Sequence, residues 1–270
     1  MFLRAIAEPD RSQPGVEAVL GKSYPDFVAF LGQHNTPPGA FRTIDEWVRM
    51  ASIDGRSRVL DLACSTGYSG RTVHELTGAR VCGIDISPEA VAQACRYAEG
   101  DPSLEYQVAD AADLPLPDGS FSHVLGGCNF GFIERRDQAL DEVHRVLRPN
   151  GRLCVAAFYY REPPPEELLD RVADAVGFRP SRDRDRRFWN AFFSRRFELV
   201  AEILHETPPL GARKVTRAVR RSVYGRVPAL VGASGPVRDA CYHRLRQTRL
   251  VLDEHRAYQA LMVGVWRART

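Results

Sequence analysis

Two carboxylates and a run of small residues in the first half of the chain have the spacing of a nucleoside site. Asp61 lies in the apolar run Val59-Leu60-Asp61-Leu62, and Ala63, Ser65 and Gly67 alternate through the turn that follows. Small side chains in a strand-to-helix turn let a ligand come close to the backbone. A dinucleotide would rest its pyrophosphate on the helix N-terminus, held by backbone N–H groups and the helix dipole. A carboxylate at Asp61 repels such a group and suits a ligand that carries positive charge instead. Asp85 follows 24 residues later, at the end of a second apolar run that starts at Val81. An acid in that place accepts hydrogen bonds from both hydroxyls of a ribose.

These residues need a framework of short strands and helices, and the hydropathy pattern supplies one. Helices are expected over 24–32, with Phe27, Phe30 and Leu31 on one face, and over 40–51, with Ile44, Trp47 and Val48 on one face. The loop His34-Asn35-Thr36-Pro37-Pro38-Gly39 separates them. From Ser57 the chain alternates. Strands are expected at 59–62, 81–86, 104–108, 123–125 and 152–158, with helices near 68–77, after Ser87-Pro88, and at 135–147. Ser87 is a good N-cap, and Pro88 at the first helical position needs no hydrogen-bonded N–H. A helix over Phe188 to Phe193, a strand from Phe197 to His205 and a last strand from Ala260 to Trp266 complete the pattern. Parallel neighbours need crossover connections, so this order predicts an α/β fold: a doubly wound, mostly parallel seven-stranded sheet. The expected organisation is an N-terminal helical cap at 1–56, a core at 57–206, a helical insertion at 207–256 and a final core strand at 257–270.

The stretch Asp61-Leu62-Ala63-Cys64-Ser65-Thr66-Gly67 resembles the first motif, D-x-G-x-G-x-G, of the class I S-adenosylmethionine (AdoMet) dependent methyltransferases, whose fold is Rossmann-like. Ala63 and Ser65 stand where the first two glycines are usual. The segment Val108-Ala109-Asp110-Ala111-Ala112-Asp113-Leu114-Pro115 resembles the family's stretch after the third strand, and Val143 to Gly151 resembles the end of the helix before the fifth, with Asn150 where Gly is frequent. The resemblance spans about residues 40 to 160. It implies AdoMet as cofactor, with Asp61, Ala63, Ser65 and Gly67 shaping the turn and Asp85 on the ribose. It further implies Ile86 on the adenine face, Asp110 accepting from the adenine amino group and the Ala111 N–H meeting a ring nitrogen. The loop that ends at Asn129 would receive the methionine ammonium.

Methyl transfer is an in-line displacement at an activated carbon, so it asks mainly for positioning and the exclusion of water. His34 is the first general-base candidate, because histidine titrates near neutrality and this family often folds its N-terminal region over the acceptor. Tyr159, after the fifth strand, is the second catalytic candidate, as a group that orients the acceptor. His255 and Tyr258 are weaker ones, and Asn129 and Phe132 are expected to line the pocket. The aromatic run Phe188 to Phe193, beside the insertion, suggests an enclosed acceptor pocket for a small organic molecule, a natural product by preference. No cluster of carboxylates has metal-ligand spacing, and Asp183 and Asp185 lie in a charged loop that reads as solvated, so no metal is expected.

The whole chain fits this reading. Its 270 residues, 44% hydrophobic and 26% charged, match an ordinary globular protein with no run long enough to span a bilayer and no secretory leader, so a cytoplasmic protein without a membrane partner is expected. The composition, rich in Arg and Ala, fits a high-GC bacterial origin. The six cysteines include no C-x-x-C pair and read as buried thiols. Between Arg213 and Arg256 eleven Lys or Arg residues face three acidic ones. That face reads first as solvated and second as a contact to RNA, but only Tyr224 and Tyr242 offer rings for base stacking within it. An RNA methyltransferase and a non-methylating AdoMet-binding protein are the alternatives. The expected partner is a small-molecule acceptor, and the protein is expected as a monomer or homodimer.

Overall fold

In the computed structural model, the structure describes residues 15–32, 36–225 and 227–269. Helices α1 (Val16–Leu20), α2 (Tyr24–Phe30) and α3 (Phe41–Ala51) precede β1 (Arg58–Leu62). There follow α4 (Tyr68–Thr77), β2 (Arg80–Asp85), α5 (Pro88–Tyr97), β3 (Leu104–Val108), β4 (Phe121–Gly126), α6 (Arg136–Val146) and β5 (Leu147–Tyr160). The last part holds α7 (Glu166–Val176), α8 (Arg186–Ser194), β6 (Phe197–Glu206), α9 (Ala212–Tyr224), α10 (Gly235–His255) and β7 (Gln259–Ala268). The seven strands form one sheet in the order β3-β2-β1-β4-β5-β7-β6, parallel except for β7, which runs antiparallel to β5 and β6. Chain order reverses between β1 and β4, and the crevice beyond their carboxyl ends is where such sheets bind ligands.

Local chemistry sets the element ends. The Ser87 hydroxyl accepts from Ala90 N–H at 3.2 Å, and Pro88 opens α5. Asp185 caps α8 by accepting from Phe188 N–H at 2.7 Å. Strand β5 starts five residues earlier than the pattern predicts, because Leu147 already pairs with Phe121 before the register shifts. Asn150 sits at φ 61°, which explains why only Gly or a residue that tolerates the left-handed region suits that turn. Helix α7 is additional to the elements expected from the sequence, and its Leu168, Leu169, Val172 and Val176 form a buried stripe at helical spacing.

Three apolar clusters hold the molecule. One lies between the sheet and α6 and α8, and contains Leu62, Val124, Leu140, Val143, Trp189, Phe193 and Trp266. A second lies on the opposite face under α3 and α4, with Ile44, Trp47, Val73 and Leu125. The third joins α1 and α2 to α9 and α10 through Val19, Phe27, Val215, Val219, Val223 and Leu245. The aromatic run of α8 therefore belongs to the core: Trp189, Phe192 and Phe193 are buried and pack on Phe130 and Trp266, so they do not wall an acceptor pocket. Cys95 departs from the expectation of buried thiols, being exposed, and Cys82 and Cys128 are half-buried. On α9 the valines face inward while Arg213, Lys214, Arg217, Arg220 and Arg221 are exposed.

Candidate cofactor and acceptor site

The turn after β1 repeats one backbone feature at alternate positions. Ala63, Ser65 and Gly67 have φ of 51°, 50° and 75°. For Ala and Ser this region costs about 1–3 kcal/mol each, and it persists only where the surroundings impose it. They do so here. Cys64 N–H donates to Ile84 O at 2.8 Å, Ser65 N–H to the Asp85 carboxylate at 2.8 Å, and Gly67 N–H to Cys64 O at 2.9 Å. Gly67 has a second constraint, because a Cβ there would stand 2.7 Å from the Tyr106 ring, whose hydroxyl donates to Gly67 O at 3.3 Å. Substituting Ala and Ser for glycine thus changes the cost of the turn and leaves its shape.

Both acids named from the sequence lie against this turn. Asp61 is buried beneath it and accepts from Gly70 N–H at 2.8 Å; burial lifts its carboxyl to about 7, against the opposing pull of that hydrogen bond. Asp85 ends β2 with one oxygen on Ser65 N–H and the other on Ser87 N–H at 2.9 Å. Burial also raises the Asp85 carboxyl, with Asp26 adding to the effect. Ile86 beside it is 73% exposed, an apolar side chain standing in solvent at the crevice rim.

The remaining predicted residues fall at the ends of β3, β4 and β5. Asp110 accepts from Ala112 N–H at 2.8 Å and from Arg135 at 2.6 Å, and these partners hold it below the usual carboxylate range. Ala111 is buried in the cluster below. Asn129, in the short turn after β4, donates to Leu62 O at 2.5 Å, so it laces the ends of β4 and β1 together while its own Oδ1 is buried without a partner among the described residues. Phe132 is exposed and packs on Phe178. Tyr159 opens onto a groove with Arg161, Asp185, Arg186, Arg187 and Asn190, a lining that includes none of the residues around the β1 turn. His34 lies outside the described residues. His255 is buried against the Tyr160 hydroxyl at 2.8 Å, and burial pushes its imidazole down to about 4, which keeps it neutral. Sequence reasoning missed Tyr106 and Arg135, whose parts in the site exist only once distant segments meet.

Comparison with known proteins agrees with the geometry. Residues 59–151 match a family described as a methyltransferase domain. Demethylmenaquinone methyltransferase of Thermus thermophilus is 40% identical over 117 residues, covering 43% of this chain and 52% of that protein. 2-Methyl-6-phytyl-1,4-hydroquinone methyltransferase of Synechocystis is 30% identical over 142 residues, covering 49% and 45%. The chain thus spans about half the length of these curated relatives. The crystal structure of MccD protein superposes with a TM-score of 0.77 at 39% identity, over 87% of this chain and 100% of that one. The chain belongs to the class I AdoMet-dependent methyltransferases.

The crevice of this methyltransferase-family chain fits the family's cofactor. Each Asp85 oxygen holds one backbone N–H and keeps a lone pair for a ribose hydroxyl. The unpartnered Asn129 Oδ1 is a hydrogen-bond acceptor of the kind an ammonium needs, at the same end of the sheet. Asp110 keeps acceptor capacity on both oxygens beside its present partners.

Proposed function

We propose that this chain transfers the methyl group of AdoMet to a small organic acceptor, of natural-product type. The observation that carries the reading is the β1 turn, where three left-handed residues are locked in place by the carboxylate at the end of β2. AdoMet, when bound, supplies a methyl carbon already activated by the sulfonium. The chain's own residues then have three tasks. Asp85 holds the ribose and, through Ser65 N–H, ties that grip to the turn. Asp61 fixes the start of α4 beneath the turn by accepting from Gly70 N–H, and a cationic ligand above it would favour its ionised form.

Third, the N-terminal segment closes the crevice. Ser87 at the start of α5 donates to Asp26 of α2 at 3.1 Å, and a Cβ on Gly127 would lie 3.8 Å from Pro37. The chain before His34 is thus fastened to the start of α5, and the chain after it passes close to the end of β4. His34 is proposed as the base that takes the acceptor's proton, with Tyr159 as an orienting group farther out. The names of two relatives refer to a quinone and a hydroquinone, which supports an organic, non-polymeric acceptor.

Calorimetric titration with AdoMet and S-adenosylhomocysteine, using NAD as control, tests the cofactor part. Binding of the adenosyl ligands alone is expected. Incubation with candidate acceptors should then give products heavier by one methyl group. Binding of NAD in preference, or a product carrying a different group from the sulfonium, would replace this reading.

A further inference from the structure

Arg184 is a buried cation that forms no ion pair among the described residues; Asp183 acts on it only at longer range. It is 6% exposed in a loop where the other residues from Ser181 to Arg187 are all exposed, which corrects the reading of this loop as wholly solvated. Among the described residues no carboxylate lies within ion-pairing distance of its guanidinium. Asp183 is engaged by Ser181, and Asp185 caps α8. One Nη of Arg184 donates to Gly131 O at 2.7 Å, while its Nε is buried and has no partner. The guanidinium carbon lies 5.1 Å from the Phe178 ring centre and 5.9 Å from that of Trp189. Phe178 in turn meets the exposed ring of Phe132 at 5.4 Å.

This side chain spans the acceptor end of the sheet. Its backbone carbonyl accepts from Tyr160 N–H at 2.9 Å, at the end of β5. Gly131, which it holds, follows Asn129 in the turn after β4, and Asn129 reaches the end of β1. Ring faces soften the cost of burying a guanidinium but do not neutralise it. Burial pushes Arg184 down to about 10, and the charge on Arg136 adds to the strain. A leucine or methionine would fill the same space at lower cost. An arriving oxyanion reverses the balance, since a guanidinium fork matches carboxylate and phosphate oxygens with charge-assisted hydrogen bonds.

We propose that Arg184 anchors the acceptor by an oxyanion that the acceptor carries, a carboxylate or a phosphate ester, with Phe132 and Phe178 beside its apolar part. The inference rests on the reading of this crevice as the AdoMet and acceptor site, and its test is independent of turnover. Tryptophan fluorescence, sensitive to Trp189, follows titration with benzoate and, separately, with inorganic phosphate. Each is run on protein with and without S-adenosylhomocysteine, whose own affinity is measured in the same samples.

The expected result is millimolar binding of at least one anion, weakened at least tenfold in Arg184→Gln, with S-adenosylhomocysteine affinity unchanged. Arg184→Lys should keep the charge, lose the fork and bind several-fold less tightly. Benzoate alone would assign a carboxylate, and phosphate alone a phosphate ester. Equal anion affinity in Arg184→Gln, or no binding of either anion to the unsubstituted protein at tens of millimolar, overturns the proposal. Should Arg184→Gln fail to fold, unchanged affinity in Arg184→Lys overturns it as well. Arg184-dependent anion binding without any binding of S-adenosylhomocysteine would uphold the anchor and reject the cofactor reading.

Discussion

Burial forces Asp61 to hold a proton near neutrality, where an ordinary aspartate has none. Because the folded form binds that proton more tightly than the unfolded chain does, the contribution to stability is greatest at low pH and falls as pH rises towards about 7 and beyond. Between about pH 6 and about pH 8 the loss is on the order of 1 kcal/mol, a few degrees in Tm, and Asp61→Asn should remove that slope in thermal melts. A Tm equally pH-dependent in the variant would show that the titrating group lies elsewhere. Asp85 makes a different prediction. Asp85→Ala deletes two potential ribose contacts and frees Ser65 N–H and Ser87 N–H, so AdoMet affinity should fall about 100-fold by calorimetry. Unchanged affinity would remove Asp85 from the site. Both acids could be placed beside the turn from the sequence, because each lies in an apolar run that becomes a strand, and β1 and β2 are parallel neighbours whose ends meet. Arg184 could not, since its burial depends on Gly131 arriving from the turn after β4 and on the fold of its own loop, which sets Phe178 and Trp189 of α8 around it.

Among the elements, the N-terminal arm has the clearest functional stake. Helix α2 is tied to α5 through Asp26 and Ser87 and through Lys22 and Glu89 at 3.5 Å, while Arg244 of α10 stacks on Phe27 at 4.2 Å and donates to Lys22 O at 2.6 Å. On the proposed reading, an arm gripped at the rim of the crevice would help to exclude water from the acceptor. His34→Ala should therefore lower kcat by about 100-fold and leave AdoMet affinity unchanged, in steady-state assays paired with calorimetry. Full turnover would return His34 to a surface role. Elements with clean periodicity, such as α3, α4 and β2, were legible in the sequence. Helix α7 was hidden because proline and acidic residues masked a narrow apolar stripe. The stripe of α8 was visible but misread, because aromatic residues at helical spacing serve a core as readily as a pocket.

At the scale of the molecule, the apolar contacts are partitioned. The two clusters on either face of the sheet share its strands, whereas the cluster of α1, α2, α9 and α10 contains no strand residue. It is attached to the rest by α7, which packs on α10, by Arg171 paired with Glu254 at 2.6 Å, by His255 on the Tyr160 hydroxyl, and by the ties of α2 to α5. A helical cap joined by a few polar ties opens at lower cost than a sheet buried on both faces. Native-state hydrogen exchange should show amides of α9 and the first half of α10 protected by about 3 kcal/mol less than those of β1, β4 and β5. S-adenosylhomocysteine should narrow the difference for α2 by closing the arm on the crevice. If cap and sheet exchange together, the cap is one cooperative unit with the core and cannot gate the acceptor by opening alone. Separate exchange, with ligand protection confined to α2, would place acceptor entry at the arm and leave the basic outer face of α9 to solvent.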